Sequence, residues 1–122
     1  MSKILIVDDS ALSRRMLRTI LEGAGHKVVE ADDGLAALER FAIERPELTF
    51  LDLTMSGMHG FEVLEKLREI DPETRVIVAT ADIQTSSREM ATDRGGQGFV
   101  HKPFNAEKVL EAVDNVLKGD PA

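Results

Sequence analysis

The residues in this sequence best suited to chemistry are carboxylates standing at the ends of short apolar runs. Asp52 closes the run that begins at Leu48, and the pair Asp8 and Asp9 follows Ile4 to Val7. Val76 to Ala79 leads into Thr80, and Gly98 to His101 leads into Lys102. Three carboxylates drawn together repel, so at neutral pH one would take up a proton unless a cation joined them. A divalent, oxygen-seeking ion meets that need. Mg2+ keeps several waters and accepts two or three carboxylates plus a backbone carbonyl, such as that of Thr54. A carboxylate whose charge is offset by a metal and an ammonium group can attack phosphorus and form an aspartyl phosphate. Asp52 is the expected nucleophile and Lys102 the expected ammonium.

Each of these residues also has a plainer reading when taken singly. An acidic pair after a strand can solvate a turn or favour the start of the next helix. Asp52 alone could be a solvated strand end, Thr80 an ordinary β-favouring residue and Lys102 a surface cation. Their joint arrival at one sheet edge is what favours a site. Pro103 punctuates a loop, or forms a cis bond that aims Lys102 inward; the sequence leaves the isomer open. His26, His59 and His101 lack the spacing of a shared metal site, although His59 lies near the proposed one. Gly95, Gly96 and Gly98 do not open a helix in the pattern of a nucleotide-binding loop, so a turn is expected there.

The elements that must position these groups follow from the hydrophobic pattern. Lys3 to Val7, Lys27 to Ala31, Leu48 to Leu53, Arg75 to Thr80 and Gly98 to His101 read as strands, and their lack of polar alternation indicates cover on both faces. Between them lie amphipathic stretches. From Ala11 to Ala24, Leu12, Met16, Ile20 and Ala24 recur every four residues behind Ser10, a favourable cap, and Gly25 closes the helix. After the turn Asp32-Asp33-Gly34, a second helix places Leu35, Leu38, Phe41 and Ala42 on one face and ends at Pro46. Phe61, Leu64 and Leu67 mark a third. Gln84 to Arg94 is the weakest helix, because Thr85, Ser86, Ser87 and Thr92 are poor helix formers. Val109, Leu110, Val113, Val116 and Leu117 give the last helix an apolar face. Five strands alternating with five helices argue for an α/β fold, an open, doubly wound parallel sheet flanked on both sides. Ligands of such sheets bind at the strands' carboxyl ends, where Asp8, Asp9, Asp52, Thr80 and Lys102 all fall.

The whole chain fits that picture. Its 122 residues suffice for one core, and one domain over residues 1–122 is expected. The hydrophobic and charged fractions, 43% and 30%, are those of a globular protein. A net charge of −7 disfavours direct nucleic-acid binding. The absence of cysteine excludes disulfides, thiolate zinc sites and thiol nucleophiles. The amino terminus is too short and too acidic for a signal peptide, and no apolar run is long enough to span a membrane, so the cytoplasm is the expected compartment.

The pair Asp8-Asp9, Asp52 at the end of its strand, Thr80-Ala81 and Lys102-Pro103-Phe104 together resemble the receiver domain of two-component response regulators, and the resemblance covers essentially the whole chain. Met55-Ser56-Gly57-Met58-His59-Gly60 is similar to the family's loop after the phosphorylated aspartate. Arg14-Arg15 and Gly25 match the stand-alone chemotaxis (CheY-like) type. The resemblance implies a flavodoxin-like strand order 2-1-3-4-5. It implies that Asp52 accepts a phosphoryl group from a histidine kinase or phosphotransfer protein, that Asp9 binds Mg2+ directly and Asp8 largely through water, and that Lys102 pairs with phosphate. It further implies a switch in which Thr80 and an aromatic residue, here Phe99, alter the face made by the fourth helix, fifth strand and fifth helix, and so control a protein target. Such a chain is a signalling protein that catalyses only its own phosphorylation and dephosphorylation. A monomer is expected, with dimerisation on phosphorylation left open. The family often has proline where Ser56 stands and alanine where Gly96 stands, and Thr54 and Asp82 occupy positions that tune phosphoryl lifetime. Because the chain ends just after the last helix, a stand-alone receiver controlling a protein partner is the leading expectation, beside an excised receiver and a phosphorelay intermediate. A small aspartate-nucleophile phosphatase is the enzymatic alternative, weakened because Thr54 stands where such enzymes usually place a second acid.

Overall fold

Runs rich in Ile, Val and Leu form five short strands: β1 (Lys3–Val7), β2 (Lys27–Ala31), β3 (Leu48–Asp52), β4 (Val76–Thr80) and β5 (Gly98–His101). The computed structural model describes residues 2–53, 60–81 and 97–118. The strands pair in parallel as one sheet of order β2-β1-β3-β4-β5, the order implied by the family resemblance. β3 is buried along its whole length, as expected of a central strand covered on both faces. The register Val7 to Leu51, Asp52 to Ala79 and Thr80 to His101 brings the carboxyl ends of the four strands β1, β3, β4 and β5 together.

Four helices flank the sheet among the described residues: α1 (Ala11–Gly23), α2 (Gly34–Glu44), α3 (Gly60–Ile70) and α4 (Ala106–Leu117). The helix expected over Gln84 to Arg94 lies outside the described residues. Local chemistry sets the helix ends. Ser10 Oγ accepts from the Ser13 N–H, Asp33 Oδ1 from Ala36 and Asn105 Oδ1 from Lys108, each satisfying a donor of a first turn. α1 ends ahead of Gly25, whose φ of 91° is open to glycine without steric penalty.

Side-chain alternation along the strands divides the core in two. Ile4 and Ile6 face α1 and α4, meeting Leu17, Leu21, Val109 and Val113. Leu5 and Val7 face α2 and α3, meeting Phe41, Leu64 and Leu67. Burying one such side chain fully is worth about 1.5–3 kcal/mol, so the two layers lock the sheet from both sides.

The faces expected for the first two helices need correction. On α1 the core is touched by Leu17 and Leu21, with Ile20 partly buried, while Leu12 and Met16 are 64% and 39% exposed and Ala24 is exposed. Leu12 lies on the far side of the helix from Leu17 and Leu21, and because spacing by four residues advances only roughly 40° beyond a full turn at each step, the stripe begun there comes no nearer the sheet than the partly buried Ile20. On α2, Ala37 and Phe41 face the core, Leu38 is partly buried, and Leu35, 71% exposed, and Ala42 point outward.

Candidate functional site

The sheet delivers Asp8 and Asp9 just past β1, Asp52 at the last position of β3, and Lys102 just past β5. Asp8 and Asp52 are buried, 3% and 2% exposed, while Asp9 is exposed at the mouth. One carboxylate oxygen from each of the three lies within 4.8 Å of the others. Lys102 Nζ reaches over them, 2.7 Å from Asp8 Oδ2 and 3.4 Å from Asp52 Oδ2. The Lys102–Pro103 bond, left open by the sequence, is cis.

Asp8 is held at every polar group. Its Oδ1 accepts from the Ser10 N–H at 2.9 Å, its own N–H donates to the Ala31 carbonyl at 3.1 Å, and its carbonyl accepts from Arg14 Nη1 at 2.7 Å. Burial pushes the Asp8 carboxyl above its ordinary value; the Lys102 and Ser10 hydrogen bonds pull the other way, and the charge of Asp52 adds to the rise. For Lys102, burial alone would favour the neutral amine. The Asp8 hydrogen bond and the charges of Asp52 and Asp8 outweigh it, and the ammonium is held above its ordinary value.

Three carboxylates against one ammonium leave an excess of negative charge among oxygen donors alone. That donor set fits a hard divalent cation such as Mg2+, which takes carboxylate oxygens and keeps waters in its remaining positions.

The other expected residues fall as follows. Thr80 closes β4 with its backbone in register with His101. Phe99 is partly buried on β5, packs against the Leu53 and Val78 cluster, and meets the His101 ring edge-on at 5.0 Å between centroids. Thr54, Ser56, His59, Asp82 and Gly96 lie outside the described residues. Gly60 and Arg14 carry contacts that sequence reasoning missed. A Cβ on Gly60 would lie 2.5 Å from Leu53 Cα and 2.7 Å from the Asp52 carbonyl oxygen, so α3 starts against the backbone of the strand end that bears Asp52. Its place at the foot of a predicted helix was the available signal. Arg14 looks in sequence like any polar-face arginine, and nothing local announces its contact with Asp8.

A family model for the response regulator receiver domain matches residues 4–114. Chemotaxis protein CheY of Bacillus subtilis is 40% identical over 116 residues, spanning 94% of this chain and 97% of that protein. Sporulation initiation phosphotransferase F of Bacillus subtilis is 35% identical over 115 residues, spanning 94% of this chain and 93% of that protein. Among solved structures, the CheX–CheY–BeF3–Mg2+ complex of Borrelia burgdorferi aligns with a TM-score of 0.90 and 30% identity, covering 93% of this chain and 87% of that one. With its sheet order, its acidic cluster and this near-complete coverage, the chain belongs to the response regulator receiver domain family of two-component signalling proteins.

Proposed function

We propose that the protein is a phosphorylation-driven signalling switch in which Asp52 accepts a phosphoryl group from a phosphohistidine of a kinase or phosphotransfer protein. The observation that carries this is the placement of a 2% exposed carboxylate beside Lys102 and within one oxygen cluster with Asp8 and Asp9. Asp8, Asp9 and Asp52 would hold Mg2+, with the Thr54 carbonyl as a further ligand. Bound Mg2+ supplies positive charge that offsets the carboxylates and engages phosphoryl oxygens. The solved relative holding BeF3 and Mg2+ together supports that assignment.

In the transfer itself an Asp52 oxygen forms a bond to phosphorus as the donor's P–N bond breaks; the electron pair returns to that ring nitrogen, and the imidazole, protonated on its other nitrogen, leaves neutral. Charge on the transferring group spreads over its equatorial oxygens, so the protein contributes chiefly by positioning and electrostatics. Lys102 already stands over the Asp8 and Asp52 oxygens and is the group placed to pair with a phosphoryl oxygen. Its ion pair with Asp52 then gives way to one with the phosphoryl group, and Thr80, at the neighbouring strand end, donates its hydroxyl to another oxygen. Because β5 carries both Phe99 and His101 immediately before Lys102, a shift of Lys102 and Thr80 is transmitted to that strand and to the face it shares with α4. A protein target reads that face, and occupancy of Asp52 sets the population that binds it.

Incubation with a small phosphodonor and Mg2+ tests the acceptor. Wild-type protein should gain one phosphoryl group of acyl-phosphate character, labile to hydroxylamine, while Asp52→Asn should gain none. Labelling of Asp52→Asn to the wild-type extent overturns the assignment, and steady turnover of a free phosphomonoester would favour the phosphatase reading.

A further inference from the structure

Arg14 makes contacts that the phosphotransfer reading leaves without a purpose. Its Nε donates to Glu30 Oε1 at 2.9 Å and its Nη1 donates to the Asp8 carbonyl at 2.7 Å. Both side chains are largely withdrawn from solvent, 19% exposed for Arg14 and 27% for Glu30. The second oxygen of Glu30 is engaged by Arg18, which also pairs with Glu22. Glu30 lies on β2 and is held in the sheet, paired in register with Ile6. The guanidinium is a rigid planar fork, so fixing one edge on Glu30 fixes where the other edge points.

It points at the peptide joining Asp8 to Asp9. On the preceding side that segment is tied to the sheet by the Asp8 N–H on Ala31, and on the following side the Ser10 N–H bonds back to Asp8 Oδ1. The carbonyl of Asp8, held by Arg14, is a handle on the peptide itself. Rotation of that peptide would swing Asp9, the exposed member of the cluster, away from Asp8 and Asp52. We infer that Arg14, oriented by Glu30, is a positioning residue for the cation site: it locks the Asp8–Asp9 peptide and so holds the Asp9 carboxylate in the oxygen cluster. The inference rests on reading the three aspartates as a Mg2+ site.

A positioning role and a charge role have opposite signs. A fixed positive charge beside the cluster repels an incoming cation, so if Arg14 acted through its charge alone, its removal would tighten Mg2+ binding. If it acts by holding the peptide, removal weakens binding, and partners behind metal ligands typically change affinity by about 10- to 100-fold.

Calorimetric titration of MgCl2 into the wild-type chain, Arg14→Gln, Arg14→Lys and Glu30→Gln decides between them, with denaturant midpoints of the metal-free proteins as folding controls. Arg14→Gln should bind Mg2+ about tenfold more weakly. Arg14→Lys keeps the charge but cannot make both planar contacts, and should also lose affinity, as should Glu30→Gln to a smaller degree. Labelling by a small phosphodonor should need more Mg2+ in each variant yet reach a maximum rate close to wild type. Unchanged or tighter binding in Arg14→Gln, or full affinity in Arg14→Lys, overturns the inference while leaving the metal site intact. Should Arg14→Gln fail to fold, the lysine and glutamine variants at 14 and 30 decide alone. A wild-type chain that binds no Mg2+ brings down the metal reading itself, and this inference with it.

Discussion

Asp8 stands under opposed electrostatic influences, and its charge can be followed through stability. Burial and the Asp52 charge raise its carboxyl against the pull of Lys102 and Ser10, leaving it above the ordinary 3.8. Between 3.8 and that raised value the folded chain binds more protons than the unfolded one, so metal-free stability falls as pH rises through the interval. Lys102 does not confuse the trend. Its ammonium is raised, so its contribution is fully present below the ordinary 10.5 and is lost only at more alkaline pH. Asp8→Asn keeps an oxygen for the Ser10 N–H and removes the ionisable group. Without metal, the variant should gain on wild type as pH rises from 3.8 through the raised value and keep that advantage above it. Urea midpoints in chelator across that range give the answer, and an advantage that shrinks with rising pH would contradict the assigned direction.

At the scale of elements, the helices show what residue patterns convey and what they omit. Apolar spacing revealed α1 and α2 but not which side of each meets the sheet. Leu17 and Leu21 lie roughly 140–180° around the α1 axis from Leu12, so a stripe begun at Leu12 misses the core. The α3 and α4 faces were readable because Leu64 and Leu67, and Val109, Val113 and Val116, are flanked by charged residues that leave a single apolar side, although the reading took Phe61, which is partly buried, and passed over the buried Val63. Gly60 exposes a different limit, since its importance comes from backbone in β3 rather than from neighbours in sequence. Alanine in place of a helical glycine gains about 1 kcal/mol of intrinsic propensity. Here the new methyl would sit 2.5 Å from Leu53 Cα, backbone that cannot rotate away. Overpacking of that kind costs about 1–3 kcal/mol, so a net loss is expected for Gly60→Ala. The displacement falls on the Asp52 carbonyl, so phosphodonor labelling should slow as the denaturant midpoint drops. An unchanged midpoint would mean the helix start yields freely.

For the molecule as a whole, the site was legible because parallel strands with covered crossovers have only one edge at which their carboxyl ends can meet. Asp8, Asp9, Asp52 and Lys102 could therefore be gathered from the ends of apolar runs alone. The Arg14 link to Glu30 could not, because it joins residues 16 apart whose proximity exists only once α1 has packed beside β2. The same assembly concentrates carboxylates at one end of a chain whose net charge is already −7. Two effects of Mg2+ on stability must then be separated. General screening relieves the overall repulsion and acts equally for any salt of the same ionic strength. Binding at the cluster adds RT ln(1 + [Mg2+]/Kd), about 2.7 kcal/mol at a hundredfold excess over Kd. MgCl2 should therefore raise the thermal midpoint well beyond NaCl at matched ionic strength, and Asp9→Asn should lose most of that excess while keeping the screening part. Equal shifts from the two salts in the wild-type chain would show that the three aspartates share a strand edge without sharing an ion.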